Sequence, residues 1–407
     1  MKRDILFMCQ FFYPEYVSSA LLPYQTAQGL SKAGLTVDVL CGYPREYTQK
    51  NEKIPVNEKI DDMTVYRKKY IQLGRKNFLS RLINYFSFTF TILLNVRMCR
   101  NYKTIIVYSN PPILPVISII AKKLYGCKIV FVAYDLYPEI AERTDTIRKN
   151  SFISRFMRKI NERLYPETSN IVALSNDMKS YIKKNRNIDP ERIIVIPNWA
   201  TEEKSLNKLV TPEFIEISNK YPLIVSYFGN MGTAQDMDTI LKTISDERIA
   251  KEKIAFLFAG HGNKKKEISE VIAEKSLKNC FMFDYLSGNE FNDALSITSI
   301  FIVSLEDGLS GLAVPSKTYS YYQAEKPVIA IMDTNTDIAR ELLLNNAGIA
   351  VDNGDSEELI SSLLTLNNDK TTLRSMSKNM STKVSKNYCR NIQIQKYIKL
   401  FKRILEE

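Results

Sequence analysis

Short apolar runs alternate with longer amphipathic stretches along almost the whole chain. DILFMCQF (4–11), LTVDVLCGY (35–43), MTVYRKKY (63–70), TIIVYS (104–109), KIVFVAYD (128–135), NIVALS (170–175) and RIIVIPN (192–198) read as strands. Helical patterns lie between most of them, such as LLPYQTAQGLSKAG (21–34), where Gly34 is suited to end the helix. Strand, helix, strand in repetition predicts an α/β fold with a parallel, doubly wound sheet. The alternation pauses in the polar stretch 201–221 and resumes with runs at 222–230, 254–260, 280–286, 300–305, 327–332 and 348–352. Two Rossmann-like domains are therefore expected, 1–203 and 204–385. A closing helix over 386–407 has Ile392, Ile394, Tyr397, Ile398, Leu400 and Phe401 for a packed face, and is expected to cross back to the N-terminal domain. Tandem domains of this kind turn the carboxyl ends of their strands, and so their ligand loops, toward a common cleft.

Composition narrows the class. With 407 residues and 45% apolar content, the chain is long enough for two cored domains. Its six cysteines have no CxxC spacing, which argues against a disulfide framework or a zinc site and for a reducing, cytoplasmic setting. No Asp-x-Asp pair sits in a plausible metal loop: Asp236 and Asp238 fall where a helix begins, and no metal is expected. The net charge of +11 is unevenly spread, since residues 1–200 hold 31 basic against 17 acidic side chains. That excess predicts an anionic surface or substrate for the first half. No helix-turn-helix, zinc or OB pattern accompanies it, so nucleic acid is not expected. Between Arg67 and Arg100 there are eight basic residues and no acidic ones, bracketing FLSRLINYFSFTFTILLNVRM (78–98). Read as a helix, this segment has one narrow polar stripe, Ser80, Asn84, Ser87, Thr91 and Asn95, and is too short to span a bilayer. It is expected to lie in the interface, making the protein peripheral on the inner face of the cell membrane.

Three loops offer the means to hold a diphosphate: backbone amides at helix starts, cations and small residues. In YFGNMGTAQDMDTIL (227–241), Gly229, Asn230 and Gly232 follow a strand, and the glycines would let backbone approach a ligand. FAGHGNKKKEI (258–268) repeats the arrangement with Gly260, His261, Gly262 and Lys264, His261 being the only histidine. In VSLEDGLSGLAVPSKTYSYYQAEKPVIA (303–330), Gly311 and Pro315-Ser316-Lys317 lead into a helix, with Lys317 suited to neutralise a leaving phosphate. Asp135 ends a strand of the first half, where a carboxylate can meet a ligand.

Together these loops, with YSNPP (108–112), VAYDLYPE (132–139), VALSNDMKSYI (172–182) and RIIVIPNW (192–199), resemble glycosyltransferase family 4 in the family's own order. DLYPE, IPNW, GNMGTAQ and VPSKTYSY look most like the bacterial members that build O-antigen, capsule and exopolysaccharide. The resemblance implies a GT-B fold and retaining transfer from a nucleotide-sugar, UDP-linked, without metal or other cofactor. Asp135 and Lys317 would be catalytic. The donor-binding set would add Tyr285, Leu286, Leu312, Ala313, Val314 and Ser320 to the loop residues above, and the acceptor would be a glycan carried on a lipid diphosphate. Ser320 and Leu312 stand where the family usually has acids, Thr233 where it often has arginine, and Glu325 where it has glycine. These departures leave open a catalytically silent partner subunit. A UDP-sugar 2-epimerase is a further alternative.

Overall fold

The apolar runs form the interior strands of two sheets in a computed structural model, which describes residues 2–45, 54–74, 77–201 and 209–407. Each sheet serves its own compact unit. The first unit comprises the described residues up to Thr201, the segment Gly311–Val314 and the terminal stretch Arg390–Glu407; the second holds the remainder. The boundary expected between 203 and 204 lies outside the described residues.

The first sheet has eight strands: β1 (Arg3–Cys9), β2 (Val37–Gly42), β3 (Asn57–Ile60), β4 (Met63–Lys68), β5 (Tyr102–Tyr108), β6 (Lys128–Ala133), β7 (Asn170–Ala173) and β8 (Ile193–Val195). Their order is β3-β4-β2-β1-β5-β6-β7-β8, and every pairing except β3 with β4 is parallel. Strands covered on both faces must be apolar on both, so the inner parts of β1 (ILFMC), β5 (IIVY) and β6 (IVFVA) read as unbroken hydrophobic runs. At the margin, β4 alternates instead, with Met63, Val65 and Arg67 on its buried face.

Two features here depart from the expectations. β3 lies in a stretch without a strand-like run. It is joined to β4 by Asp61-Asp62, both at positive φ, as a two-residue hairpin turn requires. Arg67, counted among the basic residues facing an anionic surface, is instead fully buried. It pairs with Glu58 and donates to the carbonyls of Tyr13 and Pro55.

The second sheet, all parallel, has six strands: β9 (Leu223–Asn230), β10 (Ile254–His261), β11 (Cys280–Phe283), β12 (Ile300–Ser304), β13 (Val328–Ile331) and β14 (Gly348–Val351). Their order is β11-β10-β9-β12-β13-β14. Each unit is thus a Rossmann-like α/β layer structure.

The helix Phe78–Leu94 ends before the predicted limit, and a 3-10 turn, Val96–Asn101, follows it. Its polar stripe faces partly inward. Asn84 is buried and brackets Leu73, accepting from its N–H and donating to its carbonyl, while Ser87 donates to the carbonyl of Ile71. The opposite ridge, Leu79, Phe86, Phe90 and Leu94, is exposed.

The terminal helix Arg390–Glu406 belongs to the first unit, where Ile394, Tyr397, Ile398, Leu400, Phe401 and Ile404 join the core around β1 and β2. Ile392, expected on that packed face, is exposed instead. The helix lies close against Ser18–Lys32, for a Cβ on Gly29 would stand 2.4 Å from the Ile394 side chain. Phe401 is fully buried in this core. Phe401→Ala should cost about 3–5 kcal/mol, seen in urea denaturation as loss of stability in the first unit; a loss under about 1 kcal/mol would show that the helix contributes little there.

Candidate functional site

In the second unit the site is assembled at the carboxyl ends of β9, β10 and β12. β9 and β10 run in register to their last residues, so Gly229 lies beside Gly260 and Asn230 beside His261. The loops beyond continue this contact: Met231 N–H donates to the His261 carbonyl at 2.7 Å, and Lys264 N–H donates to the Met231 carbonyl at 2.9 Å. The contact is too close for side chains. A Cβ on Gly260 would lie 2.0 Å from the Gly229 carbonyl oxygen, and one on Gly262 would lie 2.1 Å from that of Met231, both at positive φ. Gly260 and Gly262 thus yield their space to the neighbouring loop, which spacing alone does not reveal.

The GNMGTAQ loop is closed by Gln235, whose side-chain oxygen accepts from Gly232 N–H and the Asn230 amide. Asp236 then caps the helix Met237–Ile244 through Thr239 and also accepts from Gly354 N–H and Asn353. Burial opposes ionisation of its carboxyl, but these donors outweigh it and hold the group below the ordinary carboxylate range. Asp238 pairs with Lys264 at 2.6 Å. Among the described residues, no group of three or more His, Cys, Asp or Glu side chains is arranged to hold a metal ion.

All three lysines that follow FAGHG have carboxylate partners: Lys264 with Asp238, Lys265 with Asp284 and Lys266 with Glu270. Lys317 lies over the ring of Phe291 at 4.6 Å, with its side chain against Gly229. Tyr321, one helical turn later, holds it there. Its buried hydroxyl accepts from Phe228 N–H at 2.9 Å and donates to the Phe228 carbonyl at 2.7 Å, while its ring stacks on Phe301. These contacts tie the short helix Thr318–Gln323 to β9. Tyr321 is absent from the predicted set, although the aromatic density of TYSYY is a signal for it. Ser320 lies in the same helix, partly exposed. His261 is exposed at the end of β10, and Tyr285 and Leu286 follow edge strand β11.

The predicted third loop is divided between the units. Gly311, Leu312, Ala313 and Val314 belong to the first unit, whereas Pro315, Ser316 and Lys317 belong to the second. Ala313 forms a β-bridge with Asp135, and Leu136 N–H donates to the Leu312 carbonyl at 2.9 Å. Gly311 packs against the Asp177 carbonyl and Tyr181.

Asp135 sits just past the end of β6. The Ser109 hydroxyl accepts from the N–H groups of Tyr134 and Asp135, fixing the turn. The Asp135 carboxyl itself has neither donor nor cation among the described residues, and removal from water pushes it up to about 6. Glu139, a few residues on, is by contrast fully engaged with Arg158 and Arg186. The arrangement supplies a cation near glycine-rich strand ends in one unit and an unpartnered carboxyl at a strand end in the other.

Residues 23–204 match the family described as Glycosyltransferase Family 4, and residues 211–383 match Glycosyl transferases group 1. A Pseudomonas aeruginosa protein named "Probable glycosyltransferase WbjE" is 29% identical over 266 residues, covering 65% of this chain and 65% of that protein. The phosphatidylinositol N-acetylglucosaminyltransferase GPI3 subunit of Saccharomyces cerevisiae (strain YJM789) is 18% identical, covering 68% of this chain and 57% of its own length. The chain therefore spans 57% to 65% of the length of these relatives. Sucrose-phosphate synthase from Thermosynechococcus elongatus superposes with a TM-score of 0.73 at 13% identity, covering 99% of this chain and 100% of that one. Anabaena Alr3699/HepE, solved with UDP and glucose, gives 0.70 at 15% identity, covering 98% and 99%. These likenesses establish the GT-B architecture of two Rossmann-like domains.

The Asp135 carboxyl ties stability to pH. Folding holds its proton more tightly than the unfolded chain does, so its favourable contribution is complete below the ordinary value of 3.8 and lost as pH rises through about 6. At about 1.4 kcal/mol per tenfold change in proton affinity, the difference is at most about 3 kcal/mol. Asp135→Asn should therefore raise the melting temperature at pH 8 more than at pH 4. Equal shifts at both would show that the carboxyl carries no such penalty.

Proposed function

The chain belongs to glycosyltransferase family 4, and from that premise we propose that it moves a sugar from a nucleotide-sugar, UDP-linked, to a glycan acceptor in surface-polysaccharide assembly. The observation that carries the reading is Lys317, held by the Tyr321 contacts beside Gly229 at the glycine-rich strand ends. A cation there meets the charge that grows on a departing diphosphate, without a metal ion, where fixed groups stabilise a transition state more than water does. The UDP-bound state of Anabaena Alr3699/HepE, which shares the fold, supports the choice of donor. Retention of the anomeric configuration follows from the family resemblance. Asp135, with its carboxyl pushed up to about 6, is ionised near neutrality yet basic enough to accept the proton of an acceptor hydroxyl.

Thermal scans with UDP-, GDP- and dTDP-sugars test the donor, because a ligand at one hundred times its Kd adds about 2.7 kcal/mol to native stability. UDP-sugars should stabilise most. Lys317→Ala should lower turnover roughly 100-fold with the fold intact, transfer should persist in EDTA, and NMR of the product should show the donor's anomer. Unchanged turnover of the variant at saturating donor would remove Lys317 from the chemistry.

The acceptor is proposed to be lipid-linked and met at the inner face of the membrane. In support, the helix Phe78–Leu94 exposes Leu79, Phe86, Phe90 and Leu94 along one ridge, with the exposed cations Arg97 and Arg100 following it. No helix among the described residues is long and apolar enough to cross a membrane. An apolar ridge flanked by cations can instead lie flat among anionic headgroups. Purified protein should float with anionic liposomes more than with neutral ones, and Phe86→Ser with Phe90→Ser should abolish the difference. Equal flotation with both lipids would end this part of the reading.

A further inference from the structure

A second surface of the first unit combines apolar and cationic groups around a cavity. The helices Pro115–Tyr125 and Phe152–Glu167 pack side by side and line an open cavity of about 600 Å³. Ile119 and Ile160 form its buried lining, while Phe152 and Phe156 stand at its edge, 78% and 40% exposed. Leaving two phenylalanines in water beside an open apolar cavity is costly unless something covers them.

Charge identifies the cover. Phe152, Phe156 and Ile160 recur every four residues and make one ridge; Arg155, Lys159 and Arg163 recur every four residues and make the next. All three cations are exposed, and none has a carboxylate partner among the described residues. Like charges at this spacing repel along the helix. Arg158, on the same helix, is paired with Glu139 and Glu142, so pairing is available where the fold uses it.

A free phosphate would satisfy the cations and leave the phenylalanines wet. An apolar ligand would do the reverse. We propose that this cavity binds one anionic phospholipid, its acyl chain against Ile119, Phe156 and Ile160 and its phosphate on Arg155, Lys159 and Arg163. The site rests on the membrane reading only for the source of its lipid: Phe78–Leu94, with its exposed ridge, touches Pro115–Tyr125, which forms the cavity's other wall.

A water-soluble lipid separates the two ideas. The intact protein is titrated calorimetrically with dihexanoyl phosphatidylglycerol below its micelle concentration, with dihexanoyl phosphatidylcholine, and with glycerol phosphate as a headgroup lacking chains. One equivalent of the phosphatidylglycerol should bind. Affinity should fall at least tenfold for the phosphatidylcholine, for Arg155→Glu with Lys159→Glu, and for Phe152→Ser with Phe156→Ser, all exposed positions whose variants should keep the wild-type circular dichroism. Glycerol phosphate should not bind, and Phe86→Ser with Phe90→Ser should bind the monomeric lipid normally even where flotation is lost. Absence of saturable binding, equal affinity for both lipids, binding of glycerol phosphate alone, or Arg155/Lys159 and Phe152/Phe156 variants that bind as wild type would each overturn the site; equal flotation of the wild-type protein with anionic and neutral liposomes would overturn only the membrane reading.

Discussion

The second unit's site depends on two backbones lying closer together than side chains permit. Gly260 and Gly262 sit against the carbonyls of Gly229 and Met231, and the exchange of hydrogen bonds between Met231, His261 and Lys264 closes the seam. Any larger residue at Gly260 or Gly262 would collide with main-chain atoms, which cannot rotate away as a side chain can. The seam determines where β9 ends, and the end of β9 determines what Lys317 touches. Tyr321 completes the arrangement by satisfying both polar groups of the Phe228 peptide with one hydroxyl. Losing such a hydroxyl would strand a buried N–H and a buried C=O, each costly without a partner.

Ion pairing sorts the charged residues of this chain by role. Most basic side chains near the strand ends of the second unit already have carboxylate partners, as do Arg67, Arg158 and Arg186 in the first. Their net contribution is to local geometry. Two places without such partners among the described residues are informative: the Asp135 carboxyl, and the cationic ridge of Arg155, Lys159 and Arg163. A carboxyl kept from water without a partner is a cost to folding, exposed like charges crowded along one helix face repel, and such costs gather where a ligand is met.

The first unit also shows how one helix can divide its faces. Phe78–Leu94 sends Asn84 inward to bracket a peptide group of the preceding segment, and turns Phe86 and Phe90 outward. By composition its polar face would be the wet one. The bracketing reverses this, because Leu73, in a segment without strand or helix, has main-chain groups that need partners, and the Asn84 amide supplies donor and acceptor together.

The strand pattern, the α/β class and the family were legible in the residues themselves, since strands covered on both faces must be apolar throughout and ligand loops follow their carboxyl ends. The runs beginning near residues 128, 254 and 300 became β6, β10 and β12 almost to the residue. β3 escaped because NEKI carries no apolar run; its pairing depends on the positive φ of Asp61 and Asp62. Only the tertiary structure decided that Gly311–Val314 joins the first unit while Lys317 stays with the second, that Arg67 is buried, and that Gly260 and Gly262 face backbone. Periodicity reports which face of an element is apolar. What lies against that face is set by residues distant along the chain, and no local pattern contains them.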